Sequence, residues 1–227
     1  MGRPDRVRGG RQAADGGARA GAAGRGRPVA GVVQVDRGEH LRSGEWLELN
    51  RTYWEGRAGE GASHPEFTAA ALGTGVRRIL QLGSGDGLDA LALAEAGAQV
   101  VGVDFSMPAV RRARATAAER DLTGSTRFVC SNLYELRHML PEPDSFDVVL
   151  CSAGVVSWLP DLEEWARLVE WFVAPGGAVL VGPASSAPQE GAEVRTWSRS
   201  SGDLTAALTA VGLTVEGDAI LRAAKPA

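Results

Sequence analysis

The run Ile79-Leu80-Gln81-Leu82-Gly83-Ser84-Gly85-Asp86-Gly87-Leu88-Asp89 constrains this chain more than any other segment. An apolar stretch gives way to three glycines at alternate positions, and a helical apolar pattern starts at Leu88. A buried strand that turns through glycine into a helix is the opening unit of an α/β fold. Gly83 and Gly85 lack Cβ atoms, so a ligand can approach the backbone there. The free N–H groups of such a turn, and the helix N-terminus behind it, favour an anionic or polar group. The spacing is G-x-G-x-G. Leu88 stands where the third glycine of a dinucleotide-binding G-x-G-x-x-G loop would fall, which argues against a nicotinamide oxidoreductase.

A second strand, residues 99–104 (QVVGVD), closes on Asp104, 21 residues after Gly83. A carboxylate at that place can accept hydrogen bonds from both hydroxyls of a ribose. A helix-capping Asp is the simpler alternative. Phe105 would then lie on an adenine ring. Asn132, after a third strand at 126–130, offers a carbonyl to the adenine amino group and an amide donor to a ring nitrogen. Core packing for Phe105 and a turn role for Asn132 remain the alternatives.

The rest of the pattern alternates in the same way. Helical spacing covers 46–57, and Gly59, Gly61 and Pro65 mark a loop. Strands are expected at 76–82, 99–104, 126–130, 146–152 and 178–182, with a last extended run near 213–221. Helices are expected at 88–96 (closed by Gly97), from the Ser106 cap through Pro108 to about 121, from the Asp161 cap onward, and near 201–211. Glu164 is the expected capping-box partner of Asp161, and Pro175-Gly176-Gly177 is expected to end that helix. Strands alternating with helices through short turns imply a parallel sheet covered on both faces, with ligands beyond the carboxyl ends of the strands.

Composition bounds the partners. Residues 1–30 contain 22 Gly, Ala or Arg and carry +5; residues 31–227 carry −9. The first segment has too little apolar surface to offset its ordering entropy, so 1–43 is expected to be a disordered Gly/Ala/Arg-rich tail, and 44–227 the folded domain. An acidic domain argues against nucleic acid as its main partner. The apolar runs break at Asp89, Glu95 and Glu170, short of a membrane span, and the basic start lacks the apolar core of a secretory signal. Cys130 and Cys151 lie in apolar stretches and are expected to be reduced and buried, in a cytoplasmic protein. Three His and two Cys show no metal-ligand spacing, so no metal is expected.

On residues 81–87, Val103-Asp104, Ser131-Asn132-Leu133, Phe146-Asp147-Val148-Val149 and Pro175-Gly176-Gly177, the chain resembles the class I S-adenosylmethionine-dependent methyltransferases. The landmarks stand in the family's order over about residues 46–222. Asn50-Arg51-Thr52-Tyr53-Trp54, Ser157-Trp158-Leu159-Pro160-Asp161-Leu162 with Trp165, and Thr196-Trp197-Ser198 look like a bacterial small-molecule branch. The resemblance implies a Rossmann-like doubly wound seven-stranded sheet, mostly parallel, with an antiparallel last strand. It implies S-adenosyl-L-methionine as cofactor, held by Tyr53, Gln81, Gly83, Ser84, Gly85, Asp104, Phe105, Asn132, Leu133 and Cys151, with its methionine end near 81–85 and 151–154. Two departures stand out. Gln81 replaces the usual Asp or Glu that meets the methionine ammonium, and only residues 183–194 stand where related proteins often carry a long substrate cover. The site is therefore expected to be open, or completed by the partner in a homodimer.

The implied reaction is methylation of a small-molecule acceptor, a secondary metabolite among the candidates, by in-line displacement. That chemistry needs alignment and exclusion of water more than acid–base machinery. His64, in the segment that folds over the cofactor in similar enzymes, is the candidate base if the acceptor is a hydroxyl, with a solvated loop histidine as the alternative. His138 lies away from the expected acceptor pocket and His40 in or beside the tail. Tyr53 and Trp54 can cover a sulfonium by cation–π attraction, and Trp54 and Trp158 can wall the acceptor pocket. Trp165 reads as core. The alternative function is an S-adenosylmethionine-binding protein that does not methylate, either cyclase-like or a silent partner subunit.

Overall fold

Alternation of buried strands and half-buried helices places every landmark on one sheet. The computed structural model describes residues 37–73, 75, 78–151, 154–182, 188, 190–217 and 219–227. In chain order the helices are α1 (Arg37–Ser43), α2 (Glu45–Glu55), α3 (Pro65–Leu72), α4 (Leu88–Glu95), α5 (Met107–Glu119), α6 (Leu136–Met139), α7 (Leu162–Phe172) and α8 (Ser201–Ala210). The strands are β1 (Arg78–Leu82), β2 (Gln99–Asp104), β3 (Thr126–Cys130), β4 (Phe146–Cys151), β5 (Val173–Val181), β6 (Thr214–Glu216) and β7 (Leu221–Ala224). Short 3-10 turns at Leu133–Glu135 and Val155–Trp158 follow β3 and β4.

The sheet has seven strands in the order β3-β2-β1-β4-β5-β7-β6. The first five run parallel. β7 is antiparallel to both β5 and β6, as the resemblance implied. The expected single run at 213–221 is instead two strands, β6 and β7, and β7 is the one inserted beside β5. The chain leaves β1 toward β2 on one side and later returns to β4 on the other. That reversal opens a crevice beyond the carboxyl ends of β1 and β4, where ligands bind such sheets.

Side chains alternate across each strand and so feed two cores. Leu80, Leu82, Val149 and Cys151 face α7 and α8, packing with Trp165, Phe172 and Leu208. Ile79, Val148 and Leu150 face α3, α4 and α5, packing with Phe67, Leu91 and Val110. Trp165 is fully buried, as expected.

Several boundaries differ from expectation. Residues 1–36 of the expected tail lie outside the described residues, but its last part is helical. Arg37–Ser43 forms α1 because it has partners: Arg37 pairs with Asp161, Leu41 is buried, and Trp46 Nε1 donates to the His40 carbonyl at 2.9 Å. Helix α3 stands where only a loop was expected after Gly59 and Gly61; Pro65 opens it rather than breaking it. The expected capping box on α7 is half made. Asp161 Oδ1 accepts the Glu164 N–H at 2.9 Å, but the Glu164 carboxylate turns to Arg137 and Arg167. The Asp161 N–H donates to the Tyr134 hydroxyl instead. Residues 175–177 do not end α7, which stops at Phe172; they lie within β5, where a Cβ at Gly177 would stand 2.7 Å from the Asp147 carbonyl oxygen. The complete capping box occurs on α8, between Ser200 and Asp203.

Candidate functional site

The glycine turn after β1 is tied to β2 by the Ser84 N–H, which donates to the Val103 carbonyl at 2.9 Å. Its glycines serve different needs. A Cβ at Gly83 (φ +67°) would stand 2.2 Å from Val155 Cγ2, so that position is closed by packing. A Cβ at Gly85 (φ +51°) would meet nothing within 4 Å, so only the backbone angle and the open space beside it ask for glycine.

Asp104 ends β2 opposite that space. Its Oδ2 accepts the Gly85 N–H at 2.9 Å and its Oδ1 accepts the Ser106 N–H at 2.8 Å. Each oxygen keeps a lone pair for a further donor. Burial pushes the Asp104 carboxyl above its ordinary value, while the Ser106 and Gly85 donors work against the rise.

The cover over the turn is held by two carboxylates from the turn and α4. Asp86 Oδ2 accepts the Gly59 N–H at 2.7 Å and the Gly61 N–H at 3.4 Å. Asp89, 4% exposed, accepts the His64 N–H through Oδ1 at 2.7 Å and meets His64 Nδ1 through Oδ2 at 2.9 Å. Asp86, in the turn, and Asp89, in the first turn of α4, thus both hold the 59–64 segment.

A cluster of aromatic rings closes the other end. Tyr53 stacks on Trp158 with centroids 5.4 Å apart and planes at 24°. Trp54 meets Trp158 edge-on at 5.2 Å. Helix α2 is anchored by buried Asn50, whose amide donates to the Arg195 carbonyl at 2.8 Å and accepts the Arg195 N–H at 2.9 Å. Trp158 and Ser84 are more than nine-tenths buried, yet among the described residues Trp158 Nε1 and Ser84 Oγ have no hydrogen-bond partner.

These elements enclose a cavity of about 400 Å³, within the range of small-molecule sites, roughly 300–1,000 Å³. Tyr53, Trp54, His64, Gln81, Gly83, Ser84, Gly85, Asp104, Phe105, Asn132, Leu133 and Trp158 all line it. Residues that the sequence reading missed line it too: Trp46, Arg57, Asp86, Asp89 and Val155.

Two expected contacts change. Cys151 does not line the cavity; it is fully buried on the core side of β4, in the same apolar cluster as Trp165, and burial pushes its thiol up to about 12. The strand's alternation turns it away from the crevice. Asn132 lines the cavity, but its amide is committed. Oδ1 accepts the Tyr134 N–H at 3.2 Å, and Nδ2 donates to the Leu41 carbonyl at 2.7 Å. Cys130, expected to be buried, is only partly so. Residues 152–153 of the expected methionine-end segment, and 183–187 and 189 of the short cover, lie outside the described residues. Among the described residues no group of three or more His, Cys, Asp or Glu could hold a metal ion, and no helix is long and apolar enough to cross a membrane.

A family model described as a methyltransferase domain matches residues 79–177. A 23S rRNA (uracil(1939)-C(5))-methyltransferase of Nitrosospira multiformis is 37% identical over 115 residues, covering 48% of this chain and 26% of that protein. A ubiquinone biosynthesis O-methyltransferase of Ralstonia nicotianae is 32% identical over 104 residues, covering 46% of this chain and 42% of that protein. The match thus spans less than half the length of these curated relatives. Among solved structures, the 1,6-didemethyltoxoflavin-N1-methyltransferase of Burkholderia thailandensis, with bound 1,6-didemethyltoxoflavin and S-adenosylhomocysteine, superposes with a TM-score of 0.65 at 21% identity. That superposition covers 81% of this chain and 90% of that one.

Proposed function

We propose that this chain is a class I S-adenosylmethionine-dependent methyltransferase, a reading supported by the methyltransferase-domain match over residues 79–177 and the seven-stranded sheet, and that it transfers a methyl group to a small organic acceptor, secondary metabolites included. The observation that carries the reading is the cavity shared by Asp104 and Gly85. One acid with a free lone pair on each oxygen faces backbone that leaves room for a ligand.

The residues fit the cofactor. Asp104 would take the two ribose hydroxyls and Phe105 and Leu133 would flank the adenine. The glycine turn would run along the methionine portion, with buried Ser84 Oγ free to bond it. Gln81 would meet the ammonium as a neutral acceptor. The lost charge assistance weakens that contact by about 1 kcal/mol. Tyr53 lies in the cavity wall, but its ring already has an aromatic and a cationic neighbour, Trp158 stacked on it and the Arg57 guanidinium 5.0 Å from its centroid, so it bounds the site rather than holding the sulfonium. Bound there, S-adenosylmethionine supplies an activated methyl and a neutral leaving group. The chain's own residues hold the acceptor against Trp54 and Trp158 and keep water out, which is the larger part of catalysis for such a displacement.

One curated relative acts on ribosomal RNA, but the charge of −9 over residues 31–227 opposes attraction to a phosphate backbone and supports a small acceptor. Unpaired Cys130 and Cys151 support a reducing, cytoplasmic setting. Calorimetry with S-adenosylmethionine tests the proposal, and absence of binding at millimolar concentration overturns it. Binding without methyl loss across a broad acceptor screen would favour a non-methylating, cyclase-like or silent role instead.

A further inference from the structure

His64 and Asp89 are joined twice at the cavity wall, once through the His64 backbone and once through its ring. The backbone bond already pins the covering segment to α4. The ring bond adds orientation. A buried carboxylate that accepts from Nδ1 fixes the proton on that nitrogen and leaves Nε2 as the basic one. His64 keeps 31% of its side-chain surface exposed and lines the same cavity as Trp54 and Trp158. Trp158 lines the cavity as well, and among the described residues its buried indole N–H has no acceptor. Buried donors of that kind ordinarily have a partner.

We propose that His64 Nε2 is the general base of the transfer, with Asp89 as its positioning residue, and that the acceptor is a flat hydroxylated ring, a phenol or enol carrying a second polar substituent for Trp158 Nε1. This deepens the methyltransferase reading and rests on it. The acceptor hydroxyl gives its proton to Nε2 as its oxygen bonds the methyl carbon. The carbon–sulfur bond breaks with its electron pair left on sulfur. The imidazolium, stabilised by Asp89, then loses its proton to water through its exposed edge. The other charged groups around the cavity are Asp86, Asp104, Glu60 and Arg57, and Glu66 lies on the helix that His64 caps. Arg57 is paired with Glu60, and Asp86 is engaged by Gly59 and Arg112. That leaves Asp89 as the charge bonded to the ring.

The test uses 4-nitrocatechol, whose ionised form absorbs visible light, added to the full chain loaded with S-adenosylhomocysteine at a pH where the free probe is largely un-ionised. The expected result is binding with the spectrum of the ionised probe. His64→Gln should lower the ionised fraction about tenfold and Asp89→Asn should lower it in part, while S-adenosylhomocysteine affinity stays within about twofold in both. Ionisation that survives in His64→Gln, or failure of the loaded protein to bind the probe, overturns the proposal. Failure of the wild type to bind S-adenosylhomocysteine overturns the methyltransferase reading itself. Nitrogen NMR of the wild type needs no variant: His64 should carry its proton on Nδ1, and the opposite tautomer overturns the assignment.

Discussion

Asp104 Oδ2 accepts the N–H of Gly85 at 2.9 Å, so the acid at the end of β2 shapes the turn after β1 as well as facing the cavity. One carboxylate thus sets the angle of the glycine backbone and presents the remaining lone pairs to a ligand.

Asp104→Ala orphans the Gly85 and Ser106 backbone donors and, on the proposed ribose assignment, would remove two cofactor contacts. Each charge-assisted bond contributes about 1.5–3 kcal/mol, so S-adenosylhomocysteine should bind at least about tenfold more weakly. Titration calorimetry measures it. An unchanged affinity would refute the ribose assignment.

Acidity should act on this carboxyl in two opposite ways. Because burial raises its pKa, the folded chain takes up a proton at a higher pH than the unfolded chain does. The Asp104 contribution to the ligand-free stability is therefore greatest at low pH and falls as pH rises through the raised value. Ribose hydroxyls favour the carboxylate, so affinity for S-adenosylhomocysteine should weaken as pH drops through that same range. Asp104→Asn should flatten both profiles, read by denaturant unfolding and by calorimetry across pH.

The two glycines should separate folding from binding. Gly83→Ala drives a methyl into Val155 and should lower the melting temperature by several degrees, an overpacking penalty of about 1–3 kcal/mol plus backbone strain. Gly85→Ala meets open space, so it should incur only the left-handed backbone penalty of about 1–2 kcal/mol while filling part of the cavity. Thermal melts with and without S-adenosylhomocysteine should show a larger loss of ligand-induced stabilisation for Gly85→Ala. Equal losses would place the cofactor elsewhere.

Thiol chemistry should distinguish the two cysteines. Cys151 is fully buried with its thiol held near 12, and should resist alkylation until the chain unfolds. Cys130 is partly exposed, although burial and the nearby Asp104 raise its pKa, and should react slowly in the native state. Mass spectrometry after timed iodoacetamide treatment reads both. Prompt labelling of Cys151 in folded protein would contradict the packing of β4 against Trp165.

Much of the sheet was legible because its signals are local. β-branched runs, the Ser106 cap and the glycine turn each announce themselves within a few residues. The Asp104 position was legible for the same reason: a strand end at a fixed distance from the turn. What escaped depends on pairings distant in sequence. Helix α1 exists through Asp161, Asn132 and Trp46, and its own composition gives no hint of them. The side-chain partners of Glu164 lie on α6 and within α7, so the S/T/D-x-x-E pattern alone misassigned them. Cys151 was misplaced because a strand's last residue can face either side, and only the register of β4 against β1 decides which. The Asp86 and Asp89 roles had a visible signal, two acids three apart at a helix start, but their partners in 59–64 are backbone groups that no side-chain pattern reveals.

The roof over the cavity is moored to its floor, since Asp86 and Asp89 belong to the turn and helix that border the Gly85 opening. A molecule seated on that floor would therefore border the same two acids that hold the ceiling in place. Were one guest to change the affinity of the other through those acids, reciprocity would fix the reverse effect at the same factor.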